Sequence, residues 1–396
     1  MGRHSIGPRG TGRHGPQVVD PADERAERRS RTAPSPRLAA VATAVPAHAA
    51  AQAEARALVA RMFQGTDAGS ERLLAVFDHF GIERRHFCMP LDWYTREHAF
   101  EEQNALYAEH ALALGRLAAE RALARAGLSA RDLDHIVFVS TTGIATPSLD
   151  ARLSLVLGCR PECRRTPIWG LGCAGGAVGL GRARDLALAD PGSRVLLVAV
   201  ELCSLTFRLE DMDKRNLVAT SLFADGAAAA VVEGAAVGAS GHSANGSGAR
   251  ALELTGSHST LWPDTLGMMG WTVTGRGLHV VFSRDIPSFV RERVRPSLEG
   301  FLHEHGLALD RPLHVAAHPG GAKVLEAYAE ALGQPAEVFA HARAVLREYG
   351  NMSSPTCLFV LERLLGSGEV GSGEPVLVSA LGPGFAAEYV LGLGAP

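Results

Sequence analysis

One interval constrains this chain more than any other feature: a succession of strand, polar loop, helix and strand occurs twice, displaced by 178 residues. Val315 follows Val137, and Asn351 follows Cys173, at that same spacing. Each event opens with a short apolar strand that runs into a polar loop, "LDHIVFVSTTG" in the first half and "LHVAAHPGG" in the second. Each continues into a small-residue turn and an amphipathic helix, "GCAGGAVGLGRARDLAL" and "GNMSSPTCLFVLERLL". An apolar strand then closes each unit, "SRVLLVAVE" and "EPVLVSALG". A fixed period of this kind marks a divergent internal duplication. Strands that alternate with helices, and that are apolar almost without interruption, predict an α/β fold whose sheets are covered on both faces.

The duplication divides the chain into residues 38–240 and 241–396, preceded by residues 1–37, whose Arg, Pro, Gly and acidic content predicts disorder. The net charge of −3 gives no basic field for nucleic acid or an anionic membrane. No apolar run reaches the length of a spanning helix. Six cysteines are scattered without a secretory leader, which predicts a reduced, cytoplasmic protein without a disulfide framework. Cys159 and Cys163 lack the second Cys/His pair that a structural metal site needs, so no metal is expected.

The duplication matters for chemistry because it places Cys173 and Asn351 at equivalent helix starts, with His318 at a strand end in the second half. A thiolate is the reactive form of cysteine, and helix N-termini and a nearby imidazolium both favour it. Glycines 172, 175 and 176 leave room beside it for an acyl thioester. On local sequence alone, Cys173 reads equally well as a buried small hydrophobe. On the same ground Asn351 reads more readily as a turn or capping residue.

Cys173 in "GCAGG", His318 in "HPGG" and Asn351 in "YGNMSS" resemble, in order, the triad of type III polyketide synthases, the chalcone synthase superfamily. "STTGIATPSLDARL", "VELCSLTFR", "SLFADGAAAAVV" and "ALGPGF" carry the same resemblance, from about residue 38 to the C-terminus. The resemblance implies a thiolase fold, layered α/β/α/β/α, in a homodimer. It implies acyl-CoA and malonyl-CoA as substrates, with no resident cofactor. Cys173 would carry the acyl chain, while His318 and Asn351 would hold the malonyl thioester carbonyl during loss of CO2. Phe223 matches the gatekeeper between the coenzyme A tunnel and the reaction cavity. Thr141, Thr142, Cys203, Thr206 and Ser353 match substrate-binding positions, and Gly382, Pro383 and Gly384 match a loop that shapes the cavity.

Some positions depart from the plant pattern: Cys203 replaces threonine, Leu381 replaces an aromatic residue, and Thr146 replaces a methionine. Of the three basic residues that bind coenzyme A phosphates, only Arg72 retains a charge, since Ala75 and His79 occupy the other places. "LDWYTREHAFEEQNALY" and "MGWTVTGRGLHVVFSRDIP" resemble most closely the bacterial alkylpyrone and alkylresorcinol synthases, which implies a fatty acyl starter and a pyrone or resorcinol product. The competing expectations are a single-condensation ketoacyl-acyl carrier protein synthase and a non-catalytic binding protein of the same fold.

Overall fold

The computed structural model describes residues 34–65, 71–209, 214–238 and 251–395. The described residues from Ser35 onward form one compact unit. Of the extension predicted to be disordered, residues 1–33 lie outside the described residues, and Arg37 opens the first strand.

The strands are β1 (Arg37–Ala44), β2 (His48–Ala51), β3 (Arg84–Phe87), β4 (His135–Val139), β5 (Arg164–Ile168), β6 (Arg194–Leu202) and β7 (Asp225–Glu233) in the first half. The second half supplies β8 (Leu252–Leu261), β9 (Met269–Thr274), β10 (Gly277–Phe282), β11 (His314–Ala317), β12 (Pro375–Gly382) and β13 (Ala386–Gly394). The principal helices are α1 (Gln52–Met62), α2 (Phe100–Ala126), α3 (Leu149–Leu157), α4 (Gly175–Ala189) and α5 (Lys214–Leu222). They continue with α6 (Ile286–Glu304), α7 (Ala322–Leu332), α8 (Ala340–Tyr349) and α9 (Thr356–Ser367).

Nine strands form one sheet in the order β11-β12-β13-β8-β1-β7-β6-β4-β5. The order reads as two copies of one motif meeting at the β1–β8 pair, which is joined by Arg37 with Glu253 and Leu38 with Leu252. Outward from that pair, β1–β7 and β7–β6 are antiparallel and β6–β4 is parallel. The other side repeats the sequence: β8–β13 and β13–β12 are antiparallel and β12–β11 is parallel. The 178-residue interval is therefore a structural repeat.

Strand periodicity sorts side chains between layers, because successive residues point to opposite faces. Ile136 and Phe138 of β4 join a cluster with the alanines of α2, while Val137 and Val139 face α4 and α9. Small residues bring α2 close to the sheet; a Cβ at Gly115 would sit 3.0 Å from Val200. On the far side, Val290, Val294, Leu298 and Phe301 of α6 and Leu325 of α7 complete the core. The helices α4 and α9, one from each half, lie at its centre. A Cβ at Gly176 would stand 2.1 Å from the Ser354 carbonyl oxygen, so only glycine permits this approach.

The apolar spacing predicts helix throughout residues 50–127, but the structure interrupts it with β3, which pairs antiparallel with β2, His48 opposite Phe87 and Ala51 opposite Arg84. Four-residue strands are too short to impose a recognisable period of two.

Candidate active site

Cys173 sits where β5 turns into α4. The chain leaves the strand through Gly170 (φ +91°) and Gly172 (φ +46°), both in the left-handed region that glycine adopts without strain. Gly172 N donates to Thr141 Oγ1 (3.2 Å), and its α-carbon faces the Pro383 ring so closely that a Cβ would lie 3.0 Å away. Gly382 packs on Ala174 still more closely, a Cβ there lying 2.5 Å from the Ala174 Cβ, so the 382–384 loop buttresses the cysteine turn. The thiol is buried, at 5% exposure.

Asn351 follows Gly350 (φ +73°) at the end of α8. Its backbone is fixed by a parallel bridge to Phe223: Asn351 N donates to Leu222 O (3.1 Å) and Ala224 N donates to Asn351 O (2.8 Å). Its Oδ1 accepts from Ser353 N (2.8 Å), and Ser353 adopts φ +58°, a conformation with a steric cost for a side-chain-bearing residue. The side chains of Ser353 and Asn351 lie near enough to the Cys173 thiol to favour its charged form, so the site is assembled from both halves. Burial nevertheless outweighs this influence and pushes the thiol up to about 12.

His318 stands one residue past β11, with its amide donating to Ser379 O (2.8 Å) on β12. The imidazole is buried, and neither ring nitrogen has a hydrogen-bond partner among the described residues. Burial lowers its pKa to about 3. A standing imidazolium that lowers the cysteine pKa is therefore absent. With both side chains desolvated, the thiol and the imidazole are both neutral near pH 7.

One acidic residue was not singled out from the sequence. Glu201, at the end of β6, is fully buried. Its Oε2 accepts from Thr141 N (2.9 Å), Thr142 N (3.0 Å) and Thr142 Oγ1 (2.8 Å), while Oε1 accepts from Ser354 Oγ (2.8 Å). Burial pushes the carboxyl up to about 7 against these bonds. The glutamate thus ties the Thr141–Thr142 loop of one half to the start of α9 in the other. A lone acid closing the apolar run "VLLVAVE" was the available signal. Thr142 uses its hydroxyl on Glu201 and accepts from Leu202 N (2.9 Å).

Beside the cysteine cluster lies a cavity of about 520 Å³. Cys203, Thr206 and Phe223 line it, together with the apolar side chains of α1 and β10. Cys173, His318 and Asn351 are not among its lining residues. Phe223 joins the two regions, since its side chain lines the cavity and its backbone pairs with Asn351. Arg72 is exposed on a helical turn outside the cavity, whereas Arg85 is buried in the cavity wall.

The family model described as chalcone and stilbene synthases, N-terminal domain, matches residues 23–236, and that of the C-terminal domain matches residues 253–393. A protein of Bacillus subtilis (strain 168) with a provisional chalcone synthase name is 39% identical over 359 residues, covering 89% of this chain and 96% of that protein. The 1,3,6,8-tetrahydroxynaphthalene synthase of Streptomyces peucetius subsp. caesius is 40% identical over 354 residues, covering 89% of this chain and 92% of the relative. The crystal structure of 1,3,6,8-tetrahydroxynaphthalene synthase from Streptomyces coelicolor A3(2), a bacterial type III polyketide synthase, superposes with a TM-score of 0.84 at 32% identity, covering 91% of this chain and 99% of that one.

Proposed function

The chain belongs to the chalcone and stilbene synthase family of type III polyketide synthases, and we propose that Cys173, His318 and Asn351 form its condensing centre. It is accordingly an acyltransferase of the thiolase fold. The observation that carries the residue assignment is the approach of the Asn351 and Ser353 side chains, from the second half, to the buried Cys173 thiol of the first.

Because thiol and imidazole both begin neutral, the first step transfers the Cys173 proton to an unpartnered ring nitrogen of His318 as sulfur attacks the starter thioester. The departing coenzyme A thiolate takes that proton, which leaves an acyl-Cys173 thioester and a free thiol. Malonyl-CoA then places its thioester carbonyl against the Asn351 amide and a His318 N–H. As CO2 leaves, its bonding electrons pass into the carbonyl, and fixed donors stabilise the developing enolate more than the ground state. The enolate carbon attacks acyl-Cys173, releases the cysteine sulfur and lengthens the chain by two carbons.

The starter in this reading is a fatty acyl group, and the product is a pyrone or resorcinol. Leu58, Val59, Met62, Leu278, Val280 and Val281 give the cavity an apolar wall suited to an alkyl chain. A second reading, a tetrahydroxynaphthalene product, is favoured by the identity of the Streptomyces relatives. Mass spectrometry of products from a series of acyl-CoA starters with labelled malonyl-CoA separates the two. Products that carry the alkyl chain support the first; tetrahydroxynaphthalene with no starter incorporated refutes it.

The enzyme in this reading is a cytoplasmic homodimer. All six cysteines are unpaired, which suits a reducing compartment. Edge strand β5 is flanked by Leu155 (82% exposed), Trp169 (50%) and Ile144 (45%), an apolar margin suited to a second copy. Light scattering that returns the monomer mass would contradict the dimer.

A further inference from the structure

Arg85 lies in β3, far from the triad in sequence, yet its guanidinium is buried to 1% exposure in the cavity wall. Its hydrogen bonds go to uncharged acceptors: Nε donates to Gln52 Oε1 (2.8 Å), and Nη1 donates to Thr220 O (2.6 Å) and Phe223 O (2.8 Å). Gln52 extends the clamp, since its Nε2 donates to Ser221 O (2.8 Å). Together the two side chains hold three carbonyls at and just beyond the end of α5, where the helix leaves its last acceptors unsatisfied.

The same arginine also touches the other side of the bridge. A Cβ at Gly350 would lie 2.8 Å from Arg85 Cγ and 3.0 Å from Cδ, so the side-chain stem packs directly on the residue preceding Asn351. Phe223 and Asn351 are paired by backbone, and Arg85 contacts the chain on both sides of that pairing. A lysine reproduces the charge but not the fork that bonds two carbonyls and a carboxamide at once.

We propose that Arg85, seconded by Gln52, is a positioning residue for malonyl decarboxylation, setting the Asn351 carboxamide and the Phe223 ring in register. This rests on the role given to Asn351 above. Loading of Cys173 does not use the Asn351 amide on the thioester carbonyl of malonyl-CoA, so loading and decarboxylation respond differently when the register slips. A misplacement near 1 Å costs about 10²-fold in rate.

The test measures both steps in Arg85→Met, Arg85→Lys and Gln52→Leu: acylation of Cys173 by starter CoA, read by intact-protein mass, and CO2 release from labelled malonyl-CoA. Loading is expected to stay within about twofold of wild type, while CO2 release falls by about 10²-fold in Arg85→Met and by less in the other two. Should Arg85→Met not fold, the Lys and Leu variants carry the comparison. Loading and CO2 release that fall in parallel, or CO2 release unchanged in the variants that fold, overturns the proposal. If wild type itself neither acylates Cys173 nor releases CO2, the functional reading fails instead.

Discussion

Replacing Glu201 with glutamine removes a buried acid while keeping its shape and most of its hydrogen bonds. The amide oxygen of Glu201→Gln can accept from Thr141 N, Thr142 N and Thr142 Oγ1, and its NH2 can donate to Ser354 Oγ, which is an acceptor as well as a donor. In the folded wild type the carboxyl is raised from 4.5 to about 7, chiefly by burial. The native state therefore keeps a proton that the unfolded chain releases. Its contribution to stability is fully present below about 4.5 and is lost as pH rises through about 7. At 1.36 kcal/mol per tenfold, the span corresponds to about 3 kcal/mol.

His318 acts in the opposite sense across an overlapping window. Its folded pKa of about 3 lies below the ordinary 6.5, so its contribution is present above 6.5 and is lost as pH falls toward 3. Wild-type stability alone hides both effects, but the difference between wild type and Glu201→Gln isolates the carboxyl. Urea unfolding of both proteins from pH 4.5 to 8.5 measures it. The glutamine variant is expected to gain about 3 kcal/mol relative to wild type between the two ends of that range. A difference that stays constant with pH refutes the assignment of a desolvated carboxyl to Glu201.

Other substitutions test separate links in the account. Cys173→Ala is expected to abolish chain extension while CO2 is still released from malonyl-CoA, whereas His318→Ala loses both; labelled CO2 and product mass spectra distinguish them. Gly176→Ala places a methyl 2.1 Å from the Ser354 carbonyl oxygen. It should cost at least about 1–3 kcal/mol, seen as a lowered thermal midpoint. Ser354→Ala leaves Glu201 Oε1 without its hydroxyl donor. A loss of about 1–3 kcal/mol in urea unfolding is expected.

The parts of this molecule that repeat were the parts legible in sequence. The 178-residue interval announced two related halves, and the strand orders on either side of the β1–β8 pair are that repeat in space. Cys173 and Asn351 were visible because small residues and glycines stand around each. Their protonation was not. A helix start and a nearby histidine suggest a thiolate, but burial raises the thiol to about 12 and lowers the imidazole to about 3. Desolvation depends on what packs around a group, which no local stretch of residues specifies. Arg85 and Glu201 were missed for a related reason. Each is a charged residue whose partners lie far along the chain, Thr220 and Phe223 for one and Ser354 for the other.

The most direct measurement of the proposed centre is a two-step turnover in Asn351→Ala. The enzyme is first acylated with starter CoA, then mixed with malonyl-CoA, and the Cys173 adduct is followed by intact mass. Wild type is expected to consume its adduct, whereas Asn351→Ala should acylate and then keep the acyl group in place. An alanine variant that discharges its adduct into extended product at the wild-type rate would contradict a reaction centre built jointly from the two halves.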